Sequence, residues 1–546
     1  MKIGMLSNLP MLESLKYFFR GIDAVLAGQH ETLYRPPEYL HSSKARQAEM
    51  TRELIRNCDV VLGPTDEMFL EVRDSVGKHT PYIWFPFGGV PRGMPDIVNY
   101  WQHFKTTDLL VVNCTSDLNI MGKFFANAQV RRLPFLFDES VFYPSEETDR
   151  QALRAGLGFG AEAKVLVYAG RLTLEKNVHT LLKIFRVVQD LVPEAHLVVA
   201  GQGGEDPFPE FGIFPVNMRN TLVRAIHKLG LAHDRLHFVG AKNADELRGL
   251  YNVADVLINL TLLHDECFGL GQVEAMACGT PVLGTNWGGL KDTIIDGVSG
   301  HKVSTTVTST GVKVDWWEGV CRLVSLLEGG AAGLRRSSRE HALEQFSLAP
   351  FRRLAESIIA EADSFRAGDC EPLALTAFGR EYWETCAPRR TDLPGYRRGP
   401  RAYELYRELI TAYTGASADG DERLTSEHTL CLATPVVVGH DGSLSVDDLI
   451  FPLSVDPPGA HRETISAVLG ALQAEPVITV GRLLGAHLSH RPDAPDALAW
   501  MLGAGLLLRT LPENGHSFPR DLGPRLSAPM FSVHRLEHAV DAVMLN

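Results

Sequence analysis

The sequence lacks three features that would each point to a particular class of protein. No segment approaches the roughly 20 consecutive apolar residues that a membrane-spanning helix needs. The first residues, MKIGMLSNLP, lack the long apolar stretch and the cleavage site of a secretory signal. The eight cysteines are scattered, without the close pairs that zinc sites and redox motifs require. We therefore expect reduced thiols in a cytoplasmic protein, with peripheral membrane association left open.

An excess of basic residues is missing as well. The net charge of -13 and the pI of about 5.9 argue against a nucleic-acid partner, which normally binds a basic face. Apolar residues make up 45% and charged residues 22% of the chain, which is ordinary for a soluble globular protein. Because single cores stop growing well below 546 residues, we expect about three domains.

The first 145 residues alternate short apolar runs with longer amphipathic stretches. The segment from Met11 to Leu26 has a helical pattern, and the apolar runs are IGML at 3–6, VVLG at 60–63, YIWF at 82–85 and LLVV at 109–112. This alternation predicts a parallel sheet with helices on its faces. The loop-like DESVFYP at 138–144 indicates the passage into a second lobe.

Residues 146–350 show the same alternation of short apolar runs and amphipathic stretches. The apolar run VLVYAG at 165–170 precedes a predicted helix from Val178 to Asp190, and the later buried runs are LVVAG, HFVG, DVLIN and PVLG. The fold class is therefore α/β, with two Rossmann-like doubly wound lobes in tandem. Such lobes bind ligands in the crevice at the carboxyl ends of their strands, so loops that follow strands carry the candidate residues.

Two cations follow the first strand of the second lobe. In YAGRLTLEKN the strand ends at Gly170, and Arg171 and Lys176 lie on the loop that enters the next helix. Loss of a sugar from a nucleoside diphosphate leaves negative charge on the phosphate, which cations at this edge can offset. An isolated pair with this spacing would more often be two solvated surface charges.

Two carboxylates follow the strand DVLIN. In HDECFGLGQVEAMACGTPV, Glu266 and Glu274 flank a helix start near Gly269, whose free amides and dipole suit a diphosphate. The plainer alternatives are an exposed loop acid at Glu266 and a glutamate at Glu274 that merely complements the helix dipole. The order of strand, cation pair, helix, further strands and carboxylate pair favours the functional interpretation, because chance rarely places all of these in register.

These motifs resemble the donor-binding half of the retaining GT-B glycosyltransferases of family 4, also called glycosyl transferases group 1. The resemblance covers residues 165–303 and includes AGRLTLEKN, HLVVAGQGG, RLHFVGAKNADELRGLYNVADVLIN and ECFGLGQVEAMACGTPVLGTNWGGLKDTIIDGVSGHKV, with DESVFYP at the lobe junction. It implies a bacterial, cytoplasmic enzyme of the hexosyltransferase type. The expected reaction moves a sugar from a nucleoside-diphosphate sugar, with UDP favoured, to an acceptor hydroxyl with retention of configuration.

The resemblance also implies roles for individual residues. Arg171 and Lys176 would bind the donor diphosphate, Glu274 the ribose, and Glu266 the donor sugar. Backbone at the strand ends and at the helix start would complete the donor site, through Gly170, Val239, Gly240, Ala241, Phe268, Gly269 and Leu270. The family uses no protein nucleophile and no bound metal or cofactor. The acceptor (natural product, glycan, lipid or protein) stays open.

Three places depart from the family pattern. The first loop, SNLPMLES, lacks the glycine pair that often lies beneath the donor phosphates, and Gly88 and Gly89 stand where the family frequently has a histidine. After the glycines Gly288 and Gly289, the usual Pro-Glu is replaced by Lys291-Asp292, which we expect to alter sugar selectivity.

The remaining third of the chain has no counterpart in the resemblance. Residues 351–367 read as a helix crossing back to the first lobe, and residues 368–425 as a linker with a helix at 401–413. Residues 426–546 predict an α+β accessory domain with a strand-turn-strand at 436–446 and helices near 461–474, 478–487 and 494–503. Its order resembles a winged-helix module, a fold that by itself assigns no function. We expect the domain to recruit the acceptor or to mediate self-association. The Asp419-Gly420-Asp421 motif reads as a solvated turn.

Two other functions remain open from the sequence. One is a catalytically silent GT-B scaffold that binds nucleotide or protein partners through its C-terminal domain. The other is a different GT-B chemistry, namely epimerisation or phosphorolysis of a glycoside. The intact donor residues count against the silent scaffold, and no phosphate or cofactor site for a phosphorylase is evident.

Overall fold

A computed structural model describes most of the chain. The described residues are 1–6, 13–86, 89–90, 97–203, 218–264, 266–367, 370–386, 400–415, 424–439, 442–446 and 454–512. Gly88, the Asp419-Gly420-Asp421 motif and most of SNLPMLES lie outside these ranges.

The first lobe is built on a six-stranded parallel sheet with the strand order β2-β1-β3-β4-β5-β6. Residues in β3, β4 and β5 are buried on both faces, as expected for a sheet covered by helices on both sides. The strands β1 to β6 are Lys2–Met5, Glu31–Tyr34, Val60–Gly63, Tyr82–Trp84, Leu109–Val112 and Gln129–Arg132. The covering helices are Glu13–Leu26, Lys44–Asn57, Glu67–Val72 and Thr115–Phe124.

The second lobe repeats this architecture with the order β12-β11-β10-β7-β8-β9. The strands β7 to β12 are Lys164–Ala169, Ala195–Ala200, Leu236–Gly240, Val256–Asn259, Val282–Thr285 and Gly300–Val303. A hairpin, β13–β14 (Thr305–Thr308 and Gly311–Val314), follows the sheet. The α-helices are Glu147–Gly156, Val178–Leu191, Met218–Leu229, Ala244–Val253, Leu270–Ala277, Leu290–Thr293, Trp316–Ser325 and Ala331–Phe346.

A long helix, Leu348–Ser364, returns from the second lobe to the first. Its Phe351 ring packs edge-on against Phe18 of the first helix, with ring centroids 5.4 Å apart. A Cβ on Gly21 would lie 2.8 Å from the Phe351 ring, so a glycine on the first helix allows this close approach. The burial of Phe18 and Phe351 fixes this helix on the first lobe.

The C-terminal extension, which starts at residue 370, has two small antiparallel sheets. Buried residues between Leu430 and Leu507 form a hydrophobic core of their own, whereas Tyr382 and Tyr406 of the two preceding helices belong to the core of the lobes. In one sheet β15 lies between β19 and β20, and the other sheet has the order β16-β17-β18. The strands β15 to β20 are Thr429–Leu432, Val436–Val438, Leu444–Val446, Ser454–Val455, Val477–Thr479 and Leu507–Thr510. The helices are Ala377–Cys386, Pro400–Thr411, Arg462–Ala474, Val480–Arg482 and Ala494–Gly503.

The prediction of a helix near 478–487 is wrong at its start. Residues Val477–Thr479 form β19, which pairs with β15 from Thr429↔Thr479 to Cys431↔Val477. The β-branched residues Val, Ile and Thr suit a strand, and the pairing overrides the helical pattern. The winged-helix resemblance stays a prediction. In the part of the chain that the structure describes, no helix combines the length and hydropathy needed to cross a membrane.

Candidate functional site

The order of strands in the second lobe places the candidate site. Chain connections run outward from β7 on one side, to β8 and β9, and from β10 on the other, to β11 and β12. Ligands of doubly wound sheets bind where this direction reverses, outside the carboxyl ends of the two strands. Arg171 and Lys176 follow β7, and Glu266 follows β10, so the predicted charged residues flank the reversal point.

Backbone at the ends of three neighbouring strands comes close together. The Gly170 amide donates to the Ala200 carbonyl, and the Gly201 amide to the Gly240 carbonyl, both at 2.9 Å. A Cβ on Gly201 would lie 1.8 Å from the Gly170 oxygen, so only glycine fits there. The predicted donor-site backbone at Val239 and Ala241, at the end of β9, therefore lies beside the end of β8, which separates it from Gly170 at the end of β7.

Lys176 and Glu266 form a close ion pair across the reversal point. The Lys176 Nζ lies 2.6 Å from the Glu266 Oε2, and the two side chains are 16% and 13% exposed. The pair is held by backbone, because the Glu175 carbonyl accepts bonds from the Leu262 amide at 2.8 Å and the Thr261 hydroxyl at 3.2 Å. The loops after β7 and β10 are thus joined next to the Lys176–Glu266 ion pair.

Arg171 remains near the crevice with a half-exposed side chain. Its guanidinium lies 3.5 Å from the carboxylate of Glu175, and the Arg171 side chain is 51% exposed. Glu175 is buried, and this burial raises the pKa of its carboxyl. The Thr173 hydroxyl donates to the same carboxylate at 2.5 Å. Glu175, which orients Arg171, was missed in the sequence because a carboxylate between two cations reads as a surface charge.

The helix Leu270–Ala277 begins at the predicted position. Gly269 is its N-cap residue, with a left-handed φ of 88° that favours glycine. The backbone amides of Phe268, Gly269 and Leu270 find no acceptor among the described residues. Free amides and the positive dipole end at such a terminus suit an anion.

Glu274 is buried one turn into this helix. The Tyr251 hydroxyl donates to its carboxylate at 3.4 Å, and burial raises the pKa of Glu274 to about 7. A Cβ on Gly271 would lie 3.3 Å from the Tyr251 oxygen and 3.8 Å from the Ala169 carbonyl. The carboxyl is therefore close to the end of β7, and its predicted ribose contact stays a prediction.

The glycine pair after β11 supports the loop that carries Glu266. The Gly289 amide donates to the Glu266 carbonyl at 2.7 Å, and the Trp287 indole donates to the Leu263 carbonyl at 2.9 Å. A Cβ on Gly288 would lie 2.3 Å from the Glu266 oxygen, and one on Gly289 2.2 Å from the Cys267 carbonyl carbon. Backbone-to-backbone packing at this point excludes any larger side chain.

The pair Lys291-Asp292, which replaces the usual Pro-Glu of the family, joins different parts of the molecule. Asp292 accepts bonds from the Thr115 amide at 2.5 Å and hydroxyl at 2.6 Å, at the start of a first-lobe helix. Lys291 donates to the carbonyls of Ala412 at 2.9 Å and Thr414 at 3.3 Å, in the C-terminal extension. The substituted pair thus links the donor lobe to two other regions, and its predicted effect on sugar selectivity stays a prediction.

No group of three or more His, Cys, Asp or Glu side chains suited to a metal ion occurs within the described ranges. None of the seven cysteines whose side chains are described forms a disulfide. Metal independence stays a prediction.

Comparison with known proteins agrees with this architecture. Residues 149–315 match the family model described as glycosyl transferases group 1. A glycosyltransferase structure from Rickettsia africae superposes with a TM-score of 0.50 at 14% identity, covering 66% of this chain and 98% of that chain. Together with the two parallel-sheet lobes, this defines the fold as GT-B. The match of residues 149–315 to the glycosyl transferases group 1 model and the GT-B architecture confirm the predicted resemblance and the predicted fold.

Two named relatives each match part of the chain. A D-inositol 3-phosphate glycosyltransferase from Saccharomonospora viridis is 32% identical over 276 residues, which is 50% of this chain and 59% of that protein. A mannosylfructose-phosphate synthase from Agrobacterium fabrum is 28% identical over 191 residues, 34% of this chain and 39% of that protein. The chain therefore spans less than two thirds of the length of either relative.

Proposed function

We propose that this protein is a retaining glycosyltransferase that transfers a sugar, of the hexose type, from a nucleoside-diphosphate sugar to an acceptor hydroxyl. The observation that carries the proposal is the Lys176–Glu266 ion pair beside Arg171, at the reversal point of a family-matched donor lobe. The arrangement offers two cations for a diphosphate and a carboxylate for sugar hydroxyls within one small region.

The cations would serve the departing diphosphate. As the bond between the anomeric carbon and the β-phosphate oxygen breaks, negative charge grows on that oxygen, and fixed cations in a sheltered crevice stabilise it. Lys176 is held by Glu266 and Arg171 by Glu175, so both cations are oriented before a ligand arrives. Glu266 now neutralises the positive charge of Lys176, and a bound diphosphate would neutralise part of it instead.

Retention needs no protein nucleophile in this scheme. The acceptor oxygen attacks the anomeric carbon from the side of the leaving group, and the acceptor proton passes to the departing phosphate oxygen. Glu266 would accept bonds from donor-sugar hydroxyls, and Glu274 would accept from the ribose. We further propose UDP as the nucleotide and a reaction that requires no bound metal.

A panel of ligands tests donor binding first. Thermal shifts with UDP, GDP and ADP, and with their glucose conjugates, are expected to show stabilisation by one base above the others. The names of the two relatives support small, hydroxyl-rich acceptors such as inositol phosphates and sugar phosphates for the accompanying activity assay.

Product analysis then tests the chemistry. We expect a glycoside with retained configuration by NMR; an inverted anomeric centre would contradict the mechanism. A sugar isomer or a sugar phosphate would instead indicate an epimerase or a phosphorylase. Donor binding without turnover on any acceptor would favour the silent scaffold.

A further inference from the structure

The helix Pro400–Thr411 and the residues after it dock into the junction of the two lobes. We call residues 400–415 the docking segment. Tyr406 is 2% exposed and Tyr413 fully buried, so this part of the extension is embedded in the protein. The segment lies far beyond residue 315, where the match to the family model ends.

One tyrosine contacts the loop that carries Glu266. The Tyr406 hydroxyl lies 2.7 Å from the Nδ1 of His264, two residues before Glu266. Both side chains are buried, and burial lowers the pKa of His264 to about 3, which keeps its imidazole neutral. A neutral imidazole can accept this hydrogen bond, and a buried one is costly to leave without it.

The second tyrosine contacts the glycine pair. The Gly288 amide donates to the Tyr413 carbonyl at 2.8 Å, while the neighbouring Gly289 amide donates to Glu266 at 2.7 Å. The Tyr413 ring also packs on Trp287, with centroids 5.6 Å apart. Two consecutive amides of one turn therefore bind the docking segment and the Glu266 loop.

The same tyrosine reaches the first lobe. Its hydroxyl donates to the buried carboxylate of Asp117 at 2.5 Å, and that oxygen also accepts from the Val90 amide at 2.9 Å. Val90 directly follows Gly89 in the chain, beyond the carboxyl end of β4. Tyr413 thus bonds to both lobes at the edge of the crevice, through its carbonyl on one side and its hydroxyl on the other.

We propose that Tyr406 and Tyr413 are positioning residues of the donor site. Through His264, Gly288 and Asp117 they fix the Glu266 loop and its spacing from the first lobe, so the docking segment is an integral part of the transferase. This inference rests on the proposed function and extends it to a region outside the family match.

Removing the two hydroxyl groups tests the idea with little change in volume. We expect Tyr406→Phe and Tyr413→Phe, in the full chain, each to reduce kcat/KM by about tenfold and to raise the donor KM, because small displacements of positioned groups are costly. Tyr382→Phe is the matched control. Tyr382 is also a buried tyrosine of the extension, but its ring packs on Phe124 and Phe378, away from the Glu266 loop.

Hydrogen exchange without ligand gives a readout that does not depend on activity. Faster amide exchange is expected in residues 261–264 and 266–269 of Tyr406→Phe, whose hydroxyl binds His264. In Tyr413→Phe it is expected at Val90, which shares the Asp117 oxygen with the lost hydroxyl, while the carbonyl bond to Gly288 is kept. Tyr382→Phe should leave both regions unchanged. Unchanged exchange together with wild-type donor KM would overturn the inference. If Tyr413→Phe does not fold, Lys291→Met removes the bonds to Ala412 and Thr414 instead. Faster exchange near the Glu266 loop in this variant would then support the inference, and unchanged exchange with wild-type donor KM would overturn it.

The two proposals fail in distinguishable ways. Wild-type protein that shows no thermal shift with UDP, GDP or ADP contradicts the proposed function, while the exchange experiment still decides whether the docking segment fixes the Glu266 loop. Wild-type donor binding with unaffected tyrosine variants contradicts the inference alone.

Discussion

The two lobes share one architecture, yet the charged residues at the carboxyl ends of their strands are used differently. In the first lobe, Arg35 after β2 and Asp66 after β3 form a bidentate pair whose side chains are 4% and 18% exposed. Asp66 also accepts from the Phe69 amide at 2.7 Å, which caps the helix Glu67–Val72. Both charged side chains therefore serve the stability of the fold, through the ion pair and the helix cap.

In the second lobe the corresponding charges face each other across the reversal point. Lys176 and Glu266 come from loops after different strands, Arg171 is half exposed, and the nearby helix start keeps its amides available. Arg35 and Asp66 also follow strands on the two sides of the first sheet's reversal point, which lies between β1 and β3. The comparison therefore teaches that position alone does not mark a functional charge, and that the half-exposed Arg171 beside the second pair makes the difference.

The largest effect is expected from breaking the ion pair in the second lobe. Lys176→Ala should reduce kcat/KM by about 10²- to 10³-fold, the cost of removing one preorganised group that stabilises transition-state charge. Initial rates at saturating acceptor measure it. Lys164→Ala, at the opposite end of β7, is the control and should keep nearly full activity; equal losses in both variants would contradict the assignment.

A backbone change should disturb the same site nearly as strongly. In Gly289→Ala the new methyl would lie 2.2 to 2.3 Å from the backbone of Cys267 and Phe268, so the Glu266 loop must move. We expect a loss in kcat/KM of about 10²-fold, because displacement of a positioned group by about 1 Å has that cost. Gly249→Ala meets nothing within 4 Å and serves as the control. Wild-type kinetics for Gly289→Ala would show that the loop tolerates the shift.

A smaller effect should appear as a pH dependence. The folded-state pKa of Glu274 is raised to about 7 from the ordinary 4.5, so the carboxyl holds its proton more tightly in the folded chain. Its contribution to stability is then complete below pH 4.5 and decreases as the pH rises through 7. Ionisation over the same range would strengthen Glu274 as an acceptor in the proposed contact with ribose hydroxyls.

We therefore expect donor affinity to rise about tenfold between about pH 6 and 8, following the carboxylate fraction. Titration of the donor at several pH values, by calorimetry, measures this slope. Glu274→Gln should bind more weakly and lose the slope, and an identical pH profile in the variant would assign the titration to another group.

The smallest effect on catalysis is expected from the first-lobe pair. Asp66→Asn leaves Arg35 buried with a weakened partner, which should lower the free energy of unfolding by about 3 kcal/mol. Donor KM and kcat per folded molecule should stay within about twofold, because Asp66 bonds to Arg35 and to a helix start of the first lobe, so its change acts mainly on stability. Denaturant unfolding and donor kinetics measure the two quantities; a large rise in donor KM would remove the contrast between the lobes.

Much of the fold was predictable because its central strands are continuous apolar runs. Runs such as VVLG, LLVV and DVLIN became β3, β5 and β10, each buried on both faces or nearly so. The edge strands β2 and β6 were not predicted, because their residues are half exposed and carry no apolar run. Strand β19 was read as helix, since its pairing with β15 depends on residues some 50 positions away.

By itself the sequence determined the two doubly wound lobes and placed Arg171, Lys176, Glu266 and Glu274 directly after strands or at a helix start. Those features depend on neighbours along the chain, so periodicity and order reveal them. Only the tertiary structure decided that Asp292 binds Thr115, that Tyr406 binds His264, and that Tyr413 joins both lobes. These contacts link residues 142 to 296 positions apart, and such pairs leave no local pattern to read.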